Sequence, residues 1–290
     1  MTTPSQQPSP TPKPGRDPAE RTHAAAGEDV DVMAISPVRE EGMLTDEPPA
    51  ETFGADVVAQ AREIIARYPQ SRSALLPMLH LVQSVEGYVS QEGVAFCAEQ
   101  LGLSEAEVSA VVTFYTMYKR KPCGEHLVSV CTNTLCAALG GDAIYRQLAE
   151  HLGEDGKPLG HEETAGTPGE PGSITLEHAE CLAACDFAPV LQVNYEYYDN
   201  QTPEKAVELV DSLRRGEKPA PTRGAPLSDF KSVERQLAGF FPEDDDQFRI
   251  DVDGPSQAVE TLRGAQLAAE RGWTAPAMAE DVPLPEVEAK

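Results

Sequence analysis

The sequence predicts an α+β protein in which a helical bundle precedes a small mixed sheet with helices, and a polar tail lies at each end. Three observations support this: helical spacing of apolar residues up to about residue 118, strand-like runs after Pro122, and Pro-rich polar stretches at both termini. We predict four segments. They are a disordered tail (1–52), a helical bundle (53–120), a sheet domain (121–216) and a mostly disordered acidic extension (217–290).

The tail and the overall charge exclude several classes of protein. Residues 1–50 contain nine prolines and bury too little apolar surface to fold. A formal net charge of -25 leaves no positive surface for nucleic acid or for an anionic membrane. No apolar run approaches the roughly 20 residues that span a bilayer, and no signal-peptide core is present. We therefore expect a cytoplasmic protein with reduced thiols, no nucleic-acid partner and no direct membrane insertion.

Four helices are predicted in the bundle. The first runs from about Val57 to Pro69, the second ends at Gly87, and the third begins near Gln91. The fourth opens with the capping-box sequence "SEAE" and continues through an apolar face. Short links between short helices are typical of a small bundle.

The pattern changes after the bundle. "HLVSV" predicts a strand, residues 141–152 a helix, "SITLEHAEC" a strand, "VLQVNYEYYDN" a hairpin and residues 203–215 a closing helix. The intervening "GEDGKPLGHEETAGTPGEPG" is predicted to be a polar loop, and "DFKSVERQLAGF" one amphipathic helix within the extension. The order β-α-β-β-β-α is compatible with a thioredoxin-like sheet.

Two pairs of cysteines follow predicted strands. Cys131 and Cys136 have four residues between them, and Cys181 and Cys185 have three. Four thiolates on two loops are a ligand set for a metal ion or an iron–sulfur cluster. Zinc stays open, because structural zinc sites tolerate these spacings. A disulfide is disfavoured in a reducing compartment, and thioredoxin-type exchange lacks its C-x-x-C motif.

The residues around the thiols favour iron–sulfur ligation. "TNTL", between the first two cysteines, offers hydroxyl, amide and backbone donors to cluster sulfurs. The helix after Cys136 would direct its positive end toward an anionic cluster. The spacing differs from the C-x₄-C-x₂-C run of plant-type ferredoxins, so the sequence does not indicate an ordinary ferredoxin.

The two motifs in their settings, "VCTNTLCAALGG" and "ECLAACDFAPVLQVN", resemble those of the E subunit of bacterial NADH:quinone oxidoreductase, respiratory complex I. "VVTFYTMY" and "YYDNQTPEKAVELVDSLRRG" are also similar to that family, and the resemblance covers roughly residues 53–225. The loop between the two pairs is longer than is usual in the family, and the C-terminal extension has no assigned family counterpart.

This resemblance implies a thioredoxin-like domain carrying one 2Fe–2S cluster on Cys131, Cys136, Cys181 and Cys185, with no catalytic residue on this chain. It also implies a flavoprotein partner that binds FMN and NADH, and other peripheral-arm subunits of complex I. The module would then lie on the cytoplasmic side of the membrane. The alternatives are the equivalent subunit of an NAD-linked hydrogenase or formate dehydrogenase, and a zinc-stabilised interaction module.

The remaining candidates are predicted to be structural. Cys97 lies on the apolar face of the third helix, and Cys123 is isolated at a linker. His178 precedes Cys181 by three residues, but a Rieske-like site needs two histidines and no second histidine lies near either pair in sequence. The glycine-rich stretches lack both the Walker and the G-x-G-x-x-G patterns, so no flavin or nicotinamide site is expected on this chain.

Overall fold

The computed structural model describes residues 53–241 and 259–274. The predicted tail 1–52 and most of the chain after residue 241 lie outside these residues. The described part contains helices and a mixed five-stranded sheet, which confirms the predicted α+β class. The division into domains at residues 120 and 216 stays a prediction.

The first part is a bundle of four α-helices, built around a shared apolar core. These are α1 (Ala55–Ala66), α2 (Leu75–Glu86), α3 (Gln91–Leu101) and α4 (Glu105–Phe114). The predicted stop at Gly87 is confirmed, because this residue has a φ of 83° that favours glycine. The predicted capping box is also present: Ser104 caps α4, and the Glu107 side chain accepts from the Ser104 backbone amide.

The second part is a five-stranded sheet with a helix layer formed by α6 and α7. Its strands and helices are β1 (His126–Cys131), α5 (Thr134–Ala138), α6 (Gly141–Leu152), β2 (Glu163–Ala165), β3 (Ile174–Ala179), β4 (Leu191–Val193), β5 (Glu196–Tyr198) and α7 (Pro203–Arg214). The strand order is β2-β3-β1-β4-β5, with β1 parallel to β3 and the other pairs antiparallel.

Two of these elements differ from the sequence prediction. β2 lies inside the stretch predicted to be only a polar loop, and its Ala165 is buried against the sheet core. The prediction missed β2 because three residues are too few to show strand periodicity, and only pairing with β3 defines them as a strand. The short helix α5 was missed for the same reason of length.

The first residues of the C-terminal extension pack against the rest of the molecule. The predicted amphipathic helix is α8 (Phe230–Leu237), which lies along α2. Its Phe230 is buried with Cys123 and Leu127, and the Phe230 amide donates to the Glu125 carbonyl at 2.9 Å. A further helix, α9 (Val259–Glu270), is also described. The extension therefore contains a helix that joins the bundle and the sheet.

Candidate functional site

The first thiol pair lies at the end of the central strand. Cys131 is the last residue of β1 and Cys136 lies in α5, and both side chains are buried. The Cys131 amide donates to the Val190 carbonyl at 3.2 Å, and the Thr132 amide donates to the Ala179 carbonyl at 3.1 Å. These bonds extend the pairing of β1 past its last residue, so the backbone that carries this pair is held on both sides.

The second pair lies in the loop between β3 and β4. Cys181 and Cys185 are exposed, and their Sγ atoms are 3.5 Å apart. Ala183, between them, has a φ of 57°, the left-handed conformation that turns a chain sharply. This turn is what brings the two thiols together.

Parallel pairing brings the two pairs to one edge of the sheet. In the register of β1 and β3, Cys131 lies opposite Ala179, two residues before Cys181. The carboxyl ends of parallel strands lie at the same edge, so the loops that follow them are neighbours. Cys131 and Cys136 pack in one apolar cluster with Ala184 of the second loop. All six cysteines of the chain are free thiols.

One glycine makes the first pair possible. A Cβ atom on Gly141 would lie 2.4 Å from the Cys131 carbonyl oxygen and 3.0 Å from that of Cys136. Distances that short cannot be accommodated next to backbone atoms, so α6 can begin this close to both cysteines only with glycine.

The pKa is raised for two of the four thiols, Cys136 and Cys185. Burial raises the pKa of Cys136 to about 11, and the neighbouring Cys131 thiol adds to that rise. The pKa of Cys185 is also raised, chiefly by its hydrogen bond with the Cys181 thiol. A bound metal centre must therefore displace these protons, as metal ions do when they bind thiolates.

The donor set fits a centre with four thiolate ligands. Two sulfurs on one tetrahedral centre with bonds of about 2.3 Å lie about 3.7 Å apart, close to the separation of Cys181 and Cys185. Within residues 53–241 and 259–274, no group of three or more His, Cys, Asp or Glu side chains is arranged to hold a single ion. The thiols approach one another as two pairs, an arrangement that suits two adjacent irons.

The other cysteines are distant from this chemistry. Cys97 is buried in the bundle core and Cys123 beside Phe230, as expected for structural thiols. Burial raises the pKa of each to about 12, which keeps both thiols unreactive at neutral pH.

The structure brings a second histidine beside His178, although none lies close to it in sequence. The rings of His161 and His178 have centroids 4.2 Å apart, because antiparallel pairing of β2 and β3 brings the two residues together. The His178 amide donates to Nδ1 of His161 at 3.4 Å. Seventeen residues separate the two in sequence, so no spacing motif signals the pair.

Two residues that support the second thiol loop were missed as functional candidates. The Tyr197 hydroxyl donates to the Leu182 carbonyl at 2.7 Å. The Arg223 guanidinium lies over the rings of Tyr197, at 4.5 Å, and Phe187, at 5.2 Å. Nothing in the Pro-rich stretch around residue 223 signals a contact with the thiol loop.

A cavity of about 670 Å³ lies beside the thiols, between the bundle, the sheet and α8. Its wall includes Cys181 and Leu182, and its apolar rim includes Met117, Leu237 and Phe241. The lining also carries charge, since it includes the buried Lys119 and its ion-pair partner Glu177. None of the helices in the described ranges is long and apolar enough to cross a membrane.

Comparison with known families agrees with this geometry. The model of the thioredoxin-like [2Fe-2S] ferredoxin family matches residues 61–214, which contain most of the bundle, the whole sheet and all four cysteines. The chain belongs to this family. It is an iron–sulfur electron-transfer protein, and its curated relatives in the family are subunits of an oxidoreductase complex.

The NADH-quinone oxidoreductase E subunit from Mycobacterium tuberculosis is 50% identical over 86% of this chain and 95% of its own length. The corresponding subunit from Rickettsia conorii is 36% identical over 56% of this chain and 94% of its own length. The expectation that the extension has no family counterpart was wrong. A match over 86% of the chain cannot fit within residues 1–216, so the mycobacterial protein shares part of the extension.

Solved structures of an NAD⁺-reducing [NiFe]-hydrogenase are also similar to this thioredoxin-like ferredoxin. In the air-oxidised state, the likeness covers 49% of this chain at 15% identity, with a TM-score of 0.41. The matched part is 23% of the hydrogenase chain, so this chain spans under a quarter of that protein.

Proposed function

We propose that the chain carries one 2Fe–2S cluster, held by Cys131, Cys136, Cys181 and Cys185, in the NADH-input module of NADH:quinone oxidoreductase. The observation that supports the proposal is that the loops carrying the two thiol pairs lie together at one edge of the sheet, with one pair buried and the other exposed. When bound, such a cluster accepts and releases one electron at a time.

The residues around the thiols have separate tasks in this proposal. Cys131 and Cys136 anchor the site in the apolar interior, where water is excluded. Cys181 and Cys185 leave its outer edge open to another protein surface. The Tyr197 hydroxyl holds the outer loop through the Leu182 carbonyl. No side chain of this chain is assigned an acid–base or nucleophilic role.

The partner proposed for this subunit is the flavoprotein that binds FMN and NADH, together with other peripheral-arm subunits of the complex. The name of the mycobacterial relative supports this host. The complex would hold the subunit on the cytoplasmic side of the membrane.

An exposed aromatic surface at the end of α4 supports a docking role for the bundle. The Phe114 side chain is 76% exposed and lies edge-on to Tyr115, with ring centroids 4.9 Å apart. Met117 follows on the rim of the cavity beside Cys181. A large exposed aromatic ring is unfavourable in water and typical of protein interfaces. We propose that this surface and the outer thiol loop contact the flavoprotein together.

The cluster is tested by metal analysis of the full chain purified without oxygen. We expect about two irons and two acid-labile sulfides per chain. Dithionite should reduce the protein, and NADH should not, because no flavin is bound. Stoichiometric zinc without sulfide would instead establish the zinc-stabilised module.

The docking surface is tested by co-expression with the flavoprotein. Phe114→Asp should abolish co-purification and leave the iron content unchanged. The matched control is Tyr68→Asp, which changes another exposed aromatic residue of the bundle and should still co-purify. Co-purification of the Phe114 variant at the wild-type level would exclude this surface.

A further inference from the structure

Arg223 connects the C-terminal extension to the loop that carries the exposed thiols. Its guanidinium lies between two aromatic contacts, 4.5 Å from the Tyr197 ring centroid and 5.2 Å from that of Phe187. Phe187 follows Cys185 by two residues, and both aromatic rings pack on the apolar cluster that contains Cys131 and Cys136. One layer of side chains therefore separates the arginine from the thiol site.

The arginine is fixed in place by strand β5 and the turn after it. Nη2 of Arg223 donates to Oδ1 of Asp199 at 2.9 Å, and the two side chains are only 14% and 8% exposed. Thr222 donates from its hydroxyl to the other Asp199 oxygen at 2.9 Å, and from its amide to the Tyr197 carbonyl at 2.8 Å. Arg223 also forms a β-bridge with Tyr197.

A contribution to the stability of the fold does not by itself explain why an arginine occupies position 223. Its Nε is buried and has no hydrogen-bond partner among the described residues. A buried unpaired N–H is unfavourable, and apolar residues of similar volume often replace buried ion pairs without loss of stability. The structure therefore points to a role for the charge and for the planar stacking of the guanidinium.

We propose that Arg223 is a positioning residue for the iron–sulfur site: it holds the Cys181–Cys185 loop through Tyr197 and Phe187, and with Asp199 it sets the local charge. This inference rests on the proposed function, because the site must hold a redox centre for the charge to matter. The segment that supplies it, 217–241, packs on the rest of the molecule through Phe230.

Arg223 and Asp199 carry opposite charges, so removing one or the other should shift the midpoint potential of the cluster in opposite directions. Reduction adds negative charge to the site, and a nearby cation stabilises that state, whereas a nearby carboxylate destabilises it. Arg223→Met should therefore lower the midpoint potential, and Asp199→Asn should raise it. The double variant should return close to the wild-type potential, since it removes both charges. A purely structural role would not produce opposite signs.

The experiment uses the full chain and two measurements. Redox titrations followed by electron paramagnetic resonance give the midpoint potentials of wild type, the two single variants and the double variant. In metal-free protein, mass spectrometry follows the rate at which a thiol reagent modifies Cys181 and Cys185. We expect that rate to rise severalfold in Arg223→Met and less in Arg223→Lys, which keeps the charge and loses the planar stack.

Two buried cysteines are internal controls that distinguish a displaced thiol loop from an unfolded protein. Cys97 and Cys123 are buried, so their modification rates should stay at the wild-type level unless the protein unfolds. If Arg223→Met does not fold, the thiol modification rate and the midpoint potential are measured on Arg223→Lys and Asp199→Asn instead.

The inference is overturned if Arg223→Met keeps the wild-type thiol reactivity, or if both single variants shift the potential in the same direction. Absence of iron and sulfide from the wild-type protein would instead overturn the proposed function. The thiol rates in metal-free protein would then still decide whether Arg223 positions the loop.

Discussion

At the scale of the residue, burial separates the cysteines by role. Cys97 and Cys123 are enclosed by apolar side chains in two different clusters, whereas Cys131 and Cys136 share a cluster with the second thiol loop. A thiol far from the others cannot contribute a bond to the same centre. The four thiols on these two neighbouring loops are therefore the set on which iron content should depend.

Replacing any one of the four by alanine should abolish the iron and sulfide content or reduce it severely, since each supplies one of four bonds. Cys97→Ala and Cys123→Ser should retain the wild-type content, with a small loss of stability of about 1 kcal/mol each from imperfect packing. Metal analysis and the absorption spectrum measure the cluster content. Loss of the cluster in a folded Cys123 variant would show that the ligand set is wrong.

Glu196 predicts a pH dependence of stability. Burial raises the pKa of its carboxyl to about 7, although it accepts a hydrogen bond from the Ala225 amide at 2.9 Å. The folded state therefore holds the proton more tightly than the unfolded state, in which the pKa is near its ordinary value of 4.5. A rise of this size corresponds to about 3 kcal/mol, and solvent screening of this half-buried carboxyl reduces it. Stability should be full below pH 4.5 and fall by about 2 kcal/mol as the pH rises to about 7.

Glu196→Gln tests this, because an amide stays neutral and its oxygen still accepts from Ala225. Urea unfolding should show the variant equal to wild type near pH 4 and more stable by about 2 kcal/mol at pH 8. The exposed Glu99→Gln is the control and should follow the wild-type curve. Parallel curves for Glu196→Gln and wild type would contradict the assignment.

At the scale of the element, α8 shows how an amphipathic helix is placed by polar contacts. Its Glu234 is fully buried and lies 2.6 Å from Nδ1 of His80 on α2. The Tyr195 hydroxyl, from the turn between β4 and β5, donates to the other carboxylate oxygen at 3.0 Å. One carboxylate therefore joins the bundle, the sheet and the extension.

Glu234→Ala should destabilise the protein by about 3 kcal/mol, because it leaves the polar groups of His80 and Tyr195 without their partner. Thermal or urea unfolding measures the change. Gln236→Ala, on the same helix and only half-buried, is the control and should change stability by less than about 1 kcal/mol. Equal effects of the two substitutions would mean that the carboxylate does not hold the helix.

At the scale of the whole molecule, a buried charge network joins the bundle to the sheet. Lys119, at the end of the bundle, is buried and bonds the carboxylate of Glu177 on β3. The Ser129 hydroxyl of β1 donates to the same carboxylate at 2.6 Å, and Glu162 lies 3.4 Å from the lysine. Unfolding of either part would expose this network, so the two should unfold together.

Lys119→Met should destabilise both parts by about 3–5 kcal/mol, because it leaves the Glu177 carboxylate buried without a counter-charge. Hydrogen exchange should show faster opening in the bundle and in the sheet. Arg72→Met is the control: its ion pair with Glu107 is exposed, so its loss should leave stability and exchange close to wild type. Faster exchange in only one of the two parts would contradict the coupling.

Local features of the sequence predicted the four bundle helices and α6, α7 and α8, and they placed four of the cysteines in two pairs. The stop at Gly87 and the capping box at Ser104 depend on residues within four positions of each other, so a short window contains their cause. Short elements such as β2 and α5 were missed, because three to five residues carry no clear periodicity.

By itself, the sequence determined the fold class, the helix ends and two thiol pairs with the spacing of a known family. Only the tertiary structure decided which thiols meet and what surrounds them. The register of β1 and β3 places Cys131 beside the loop that carries Cys181, and Arg223 reaches that loop from the extension. Such contacts depend on strand pairing and packing between distant segments. Local propensity and spacing carry no signal for them, because the free energy that selects them comes from the assembled core.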